Sequence, residues 1–166
     1  MKALNGADRV LDRLDGLAPW AFTGSLYLVR WAIVVPIGYA LGLLGAPGSG
    51  AAFDGSPMVL LFGFIFLAPL LETLVECVVP YWLMLKMRAT EVSKRAWGFV
   101  AVSALIMALL HMGAWPSAIL PSLVTGGFLA YTYSHFAVCG TGTALLHTCV
   151  FHASINLVGW LLIFVS

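Results

Sequence analysis

The chain has 166 residues, 61% of them hydrophobic and 9% charged, and its formal net charge is +1 at pH 7. A soluble domain carries about 25% charged residues, so this composition cannot cover a water-facing surface and implies a membrane protein, with the lipid bilayer as its first partner. The near-neutral balance excludes a basic surface for nucleic acid and an acidic tail.

Residues 1–20 hold Asp8, Arg9, Asp12, Arg13 and Asp15 with no apolar stretch ahead of them, and so do not read as a signal peptide. Val10, Leu11 and Leu14 fall on one face at helical spacing, which suits a short amphipathic helix on the membrane surface; a disordered polar segment is the alternative. A membrane span needs roughly 20 mostly apolar residues. Five candidates follow, at about 22–44, 58–84, 97–112, 119–133 and 143–165. The fold class expected is an all-α integral membrane protein, with residues 21–166 forming one transmembrane helical domain. The third and fourth spans are short, so either they tilt little or they share a protein-lined cavity that tolerates polar ends. The connection 45–57 is rich in Gly, Ser and Pro and reads as a flexible loop. It separates span one from a compact core, 58–166.

Lys2, Arg9 and Arg13 precede span one, and Lys86, Arg88, Lys94 and Arg95 fill the connection between spans two and three. The connections 45–57, 113–118 and 134–142 carry neither Lys nor Arg. Five alternating spans therefore gather every basic residue except Arg30 on one side, and the positive-inside rule makes that side cytoplasmic. The N-terminus is expected inside and the C-terminus outside, in a plasma (inner) membrane. Cys77, Cys139 and Cys149 are odd in number and lie in or beside apolar segments, so they read as buried free thiols rather than a disulfide framework. Trp20, Tyr81, Trp97 and Trp115 near span ends suit interfacial belts. Gly126 and Gly127 suit a close helix contact.

Ionisable residues within a span are costly and point to function. Here they are Arg30, Glu72, Glu76, His111, His147 and His152, with Asn156 beside them. Glu72 and Glu76 are four apart and share a helical face. Two ionised carboxylates there would repel, so at least one must be protonated or paired. Pro69 just upstream can open the helix. His152 and Asn156 share a face of span five, and His111 ends the apolar run of span three. If these helices face one another, Glu72, His111, His152 and Asn156 supply a base, two proton-handling or oxyanion-binding groups and an amide to orient one imidazole. That set can activate water against a carbonyl. His147 lies off the face of His152 and reads as packing, while His135 falls in the inner connection and is expected in solvent. Arg30 either snorkels to the interface or pairs with Glu76.

Three segments, in order, resemble the CAAX prenyl protease and bacteriocin-processing (CPBP) family of glutamic intramembrane proteases. Residues 68–77 (APLLETLVEC) look like the family's Glu-Glu-x-x-x-Arg helix, in a variant beginning Glu-Thr. Residues 107–111 (MALLH) resemble its Phe-x-x-x-His. Residues 142–156, ending His152-Ala153-Ser154-Ile155-Asn156, resemble its closing His-x-x-x-Asn helix. The resemblance implies a helical membrane core around a water-filled cavity. Glu72 would be the base, His111 and His152 would hold the water or the oxyanion, and Asn156 would support the site. Thr73, Cys77 and Met107 depart from the pattern, and Cys77 removes its cation. Glu76 is an extra carboxylate, and an Arg30–Glu76 pair is expected to supply the missing positive charge.

The reading that follows is an endopeptidase cleaving a peptide or membrane-anchored protein near the membrane surface, without a cofactor. A non-catalytic scaffold or immunity-type protein that binds a peptide is the main rival. A zinc or haem site on His111, His147 and His152 ranks last, because His147 and His152 are five apart, a poor spacing for two ligands on one helix face. Glu72, His111 and His152 could also hold zinc, but that would spend the base on the metal.

Overall fold

The computed structural model describes residues 16–44, 56–86, 92–112 and 118–164. The expected surface helix within 1–15, most of the connection 45–57, Arg88 and Trp115 lie outside them. All the regular structure in the described residues is helical. Helix α1 (Pro19–Leu43) begins on a proline, whose fixed φ suits a first helical position. The second rod starts at α2 (Pro57–Phe62), where the Ser56 hydroxyl accepts the Val59 N–H at 3.3 Å as an N-cap. It continues through a π turn (Gly63–Leu67), α3 (Ala68–Thr73), a second π turn (Leu74–Val78) and α4 (Val79–Lys86). Helices α5 (Val92–Met112), α6 (Ile119–Ala137) and α7 (Thr141–Phe164) complete the chain.

Each π turn ends just ahead of a proline, Pro69 or Pro80. A helical proline has no N–H and its ring clashes with the carbonyl four residues back. Widening the turn by one residue absorbs that clash. Ala68 N–H accordingly reaches Gly63 and Val79 N–H reaches Leu74, both five residues back.

Sequential helices run antiparallel, as cross-contacts show. Tyr81 meets Phe99 and Tyr133 at one end of the bundle, and Phe22 meets Phe136 there too. Gly140, at φ 112°, turns α6 into α7, a conformation that favours glycine. Helices α5 and α6 approach closely at Gly126. A Cβ there would lie 2.6 Å from Met107 Cβ and 3.0 Å from Ala104 Cα, whereas at Gly127 the nearest atom is 3.9 Å away. The close contact therefore belongs to Gly126.

Three stretches, Pro19–Leu43, Met58–Lys86 and Thr141–Leu161, are long and apolar enough to cross a membrane. The third and fourth helices are longer than the hydropathy pattern implies. Helix α5 extends back to Val92 and α6 runs on to Ala137, so at 1.5 Å per residue they are about 31 and 28 Å long. Outward faces are apolar, with Leu28, Tyr39, Phe62, Leu105 and Leu109 exposed, while Thr73, Glu76, Ser103, Thr132 and Thr148 are fully buried. Several polar groups are thus inside and many large apolar side chains outside, while Phe22, Leu26, Leu129 and Phe151 belong to a buried apolar cluster.

Candidate active site

Glu72 on α3 and His152 on α7 meet in the bundle, with Nε2 of the imidazole 3.3 Å from Oε2 of the carboxylate. Helical side chains tilt toward their own N-terminus. Because these two helices are antiparallel, Glu72 and His152 lean toward each other. The His152 side chain is 2% exposed and that of Glu72 is 26% exposed, so one end of the pair is sealed and the other open. The opening is a cavity of about 460 Å³. Val59, Leu60, Gly63, Phe64, Leu67, Ala68, Leu71 and Glu72 line it, so it runs as an apolar groove along one face of the second rod and ends on the carboxylate.

His111, on the last turn of α5, lies within electrostatic reach of both Glu72 and His152. Its Nδ1 is 2.9 Å from the Met107 carbonyl. A carbonyl only accepts, so Nδ1 carries the proton and a neutral His111 offers Nε2 as an acceptor. Of the two roles expected for it, holding the water or the oxyanion, this tautomer suits the water, whose O–H Nε2 can accept.

Asn156 differs from its expected role. Its Nδ2 donates to the Phe64 carbonyl at 2.9 Å and not to an imidazole. The π turn explains why. Ala68 N–H is taken by Gly63, and the next residue, Pro69, has no N–H to give Phe64. Asn156 supplies the donor from the neighbouring helix. Cys149 Sγ, 3.7 Å from the Pro69 carbonyl, makes a second tie along the same interface.

The expected Arg30–Glu76 pair does not form. Arg30 is buried and gives Nε and Nη2 to Thr125 Oγ1 at 3.2 and 3.0 Å, with its guanidinium 4.3 Å from the centre of the Trp31 ring. Thr125 is free to accept because its own hydroxyl donates to the Pro121 carbonyl at 2.7 Å. Among the described residues no carboxylate pairs with Arg30. Glu76 is fully buried, with Oε1 accepting the Cys77 thiol at 3.7 Å. It remains within electrostatic reach of Glu72, but the second π turn begins between them. Glu72 opens to the groove and Glu76 is sealed in the bundle.

His147 is buried and stacks on Phe136 at 3.9 Å and against Trp20 at 4.5 Å, in keeping with a packing role. His135 is not in a solvated loop. It sits on the last turn of α6 and stacks on Phe22 at 3.9 Å. Of the three free cysteines Cys77 is buried, Cys149 half-buried and Cys139 exposed, so the expectation of buried thiols fails at Cys139. Among the described residues no three His, Cys, Asp or Glu side chains converge as a metal-ligand set.

Three participants escaped sequence reasoning. Thr125 carries a weak signal, a hydroxyl beside Gly126 on an apolar helix. The carbonyls of Phe64 and Met107 carry none in side-chain chemistry, although Pro69 five residues beyond Phe64 marks a place where a backbone donor is missing. Compared with protein-family models, curated proteins and solved structures, the chain matches none.

Proposed function

We propose that this chain is an integral membrane endopeptidase of the CPBP type, which hydrolyses a peptide bond with a water activated by Glu72. The observation that carries the reading is the Glu72–His152 contact at the end of an open apolar groove. A carboxylate held by a buried imidazole on one side and open to the groove on the other is positioned as a general base. Glu72 takes a proton from water, and the water oxygen attacks the scissile carbonyl carbon. The water's other O–H donates to Nε2 of neutral His111, which holds it for the attack. Glu72 then returns the proton to the amide nitrogen as the C–N bond breaks. Asn156 acts at one remove, by holding α7 against the π turn.

Five alternating membrane-crossing helices, with the N-terminus cytoplasmic and the C-terminus outside a plasma membrane, complete the proposal. The apolar outer faces and antiparallel order support the five crossings, and the distribution of Lys and Arg supports the orientation. The groove's apolar lining would accept a peptide segment or the membrane anchor of a protein substrate. The same lining favours the rival reading, a scaffold that holds such a segment without cutting it.

The test is cleavage of a panel of membrane-anchored reporter peptides by the purified full chain in liposomes. Glu72→Gln, His111→Ala and His152→Ala are each expected to lower turnover by at least 10²-fold with the protein still accumulating, and a strong chelator is expected to leave cleavage unchanged. Full activity in Glu72→Gln overturns the mechanism. Chelator-sensitive activity restored by zinc transfers it to a metal.

A further inference from the structure

Arg30 is a cation without a carboxylate partner among the described residues, deep in an apolar bundle. A buried charge without an opposite charge beside it is costly to hold in place, so its position calls for a use. Thr125 occupies Nε and Nη2, while Nη1 is buried and has no hydrogen-bond partner among the described residues.

The register of α1 against α7 brings Arg30 to the level of His152. The two helices run in the same direction, with Trp20 against His147 and Tyr27 against Phe151 (ring centres 4.5 and 6.3 Å apart). Three residues beyond Tyr27 is Arg30, and one beyond Phe151 is His152. Arg30 is within electrostatic reach of that imidazole. The Nε2 of His152 faces Glu72, and its Nδ1 is buried without a hydrogen-bond partner among the described residues.

We propose that Arg30 is a positioning residue for the hydrolytic site: its Nη1–H donates to His152 Nδ1, the two buried nitrogens that otherwise lack partners, and so fixes the imidazole as the Nε2–H tautomer that holds Glu72. Arginine has five donors and no acceptor. A neutral imidazole beside it can therefore satisfy the contact only by presenting Nδ1 as a lone pair, which leaves the ring proton on Nε2. The positive charge also opposes an imidazolium there. Thr125, Arg30, His152 and Glu72 form a relay from α6 through α1 and α7 to α3. Within this relay Arg30 does through His152 what the missing cation at Cys77 cannot do directly. The other ionisable group facing His152 is His111, from α5.

The inference rests on Glu72 as the base, but its test needs no turnover. The full chain, labelled with ¹⁵N at histidine and arginine and held in lipid nanodiscs, gives the protonation state of each His152 ring nitrogen by solid-state NMR. The wild type is expected to show one His152 form at neutral pH, Nε2 protonated and Nδ1 bare, with a ¹⁵N–¹⁵N contact from Nδ1 to an Arg30 Nη. A protonated Nδ1 in the wild type overturns the proposal without any variant. Arg30→Met is expected to lose the single tautomer in favour of a mixture, Arg30→Lys to retain it, and Thr125→Val to weaken it. An unchanged His152 spectrum in Arg30→Met also overturns the proposal. A tautomer that responds as expected in a chain that cleaves no reporter sinks the peptidase reading alone. Loss of cleavage in Glu72→Gln beside an unresponsive tautomer sinks the relay alone.

Discussion

The Asn156 amide donates 2.9 Å to the Phe64 carbonyl, at the place where Pro69 removes the backbone donor of a π turn. One side chain on α7 thereby completes the main chain of another helix. Interhelical hydrogen bonds of this kind in membranes are worth roughly 0.6–1.7 kcal/mol. Asn156→Ala is expected to cost that much in reversible unfolding from detergent. Pro69→Ala restores an N–H near Phe64, so Asn156→Ala should cost less in that background. A double-mutant cycle measures the coupling, and additive effects would mean that the proline does not create the need for the amide.

At Gly126 the α5 and α6 backbones leave no room for a methyl group, since a Cβ would meet Met107 Cβ at 2.6 Å. Gly126→Ala is expected to destabilise by about 1–3 kcal/mol, the usual cost of overpacking. Gly127→Ala is expected to be nearly silent, because its nearest neighbour is at ordinary contact distance. Equal effects of the two substitutions on melting temperature would contradict the packing described.

Arg30 contacts Thr125 and not Glu76. In a stability cycle Arg30→Ala and Thr125→Val are expected to couple by about 0.5–3 kcal/mol, whereas Arg30→Ala and Glu76→Gln are expected to be closer to additive. Strong coupling between Arg30 and Glu76 would restore the ion pair that the geometry denies.

Cys139 is the exposed member of the three thiols and lies at the turn between α6 and α7. An impermeant maleimide is expected to label it only from the cytoplasmic side, together with a cysteine introduced at position 90. A cysteine at position 50 should react only from outside. The reverse pattern would invert the proposed orientation.

Helix existence was legible because burying a helix in lipid demands long apolar runs, and these are visible residue by residue. Ends were less so: α6 continues through Ser134, His135 and Phe136, where His135 stacks on Phe22 and Phe136 is buried against His147, a tertiary effect with no local signature. The meeting of Glu72 with His152 was legible because charged groups inside apolar segments are few and have few possible partners. Arg30 was misassigned for the opposite reason. A carboxylate was the obvious match for its charge, but a hydroxyl whose own proton was already committed lay closer. Roles that depend on backbone carbonyls, as for Asn156 and His111, could not be read because every residue has one.

The two π turns make the second rod a part whose length is counted in single residues. Deleting Ile65 from the first π turn would let the rod close into ordinary helix. Because a π turn is one extra residue taken up within a single turn, Val59 and Leu60 would still face as they do relative to Glu72. What would go is the widened turn that hands the Phe64 carbonyl to Asn156, so the groove would survive a deletion that the tie across the helices would not.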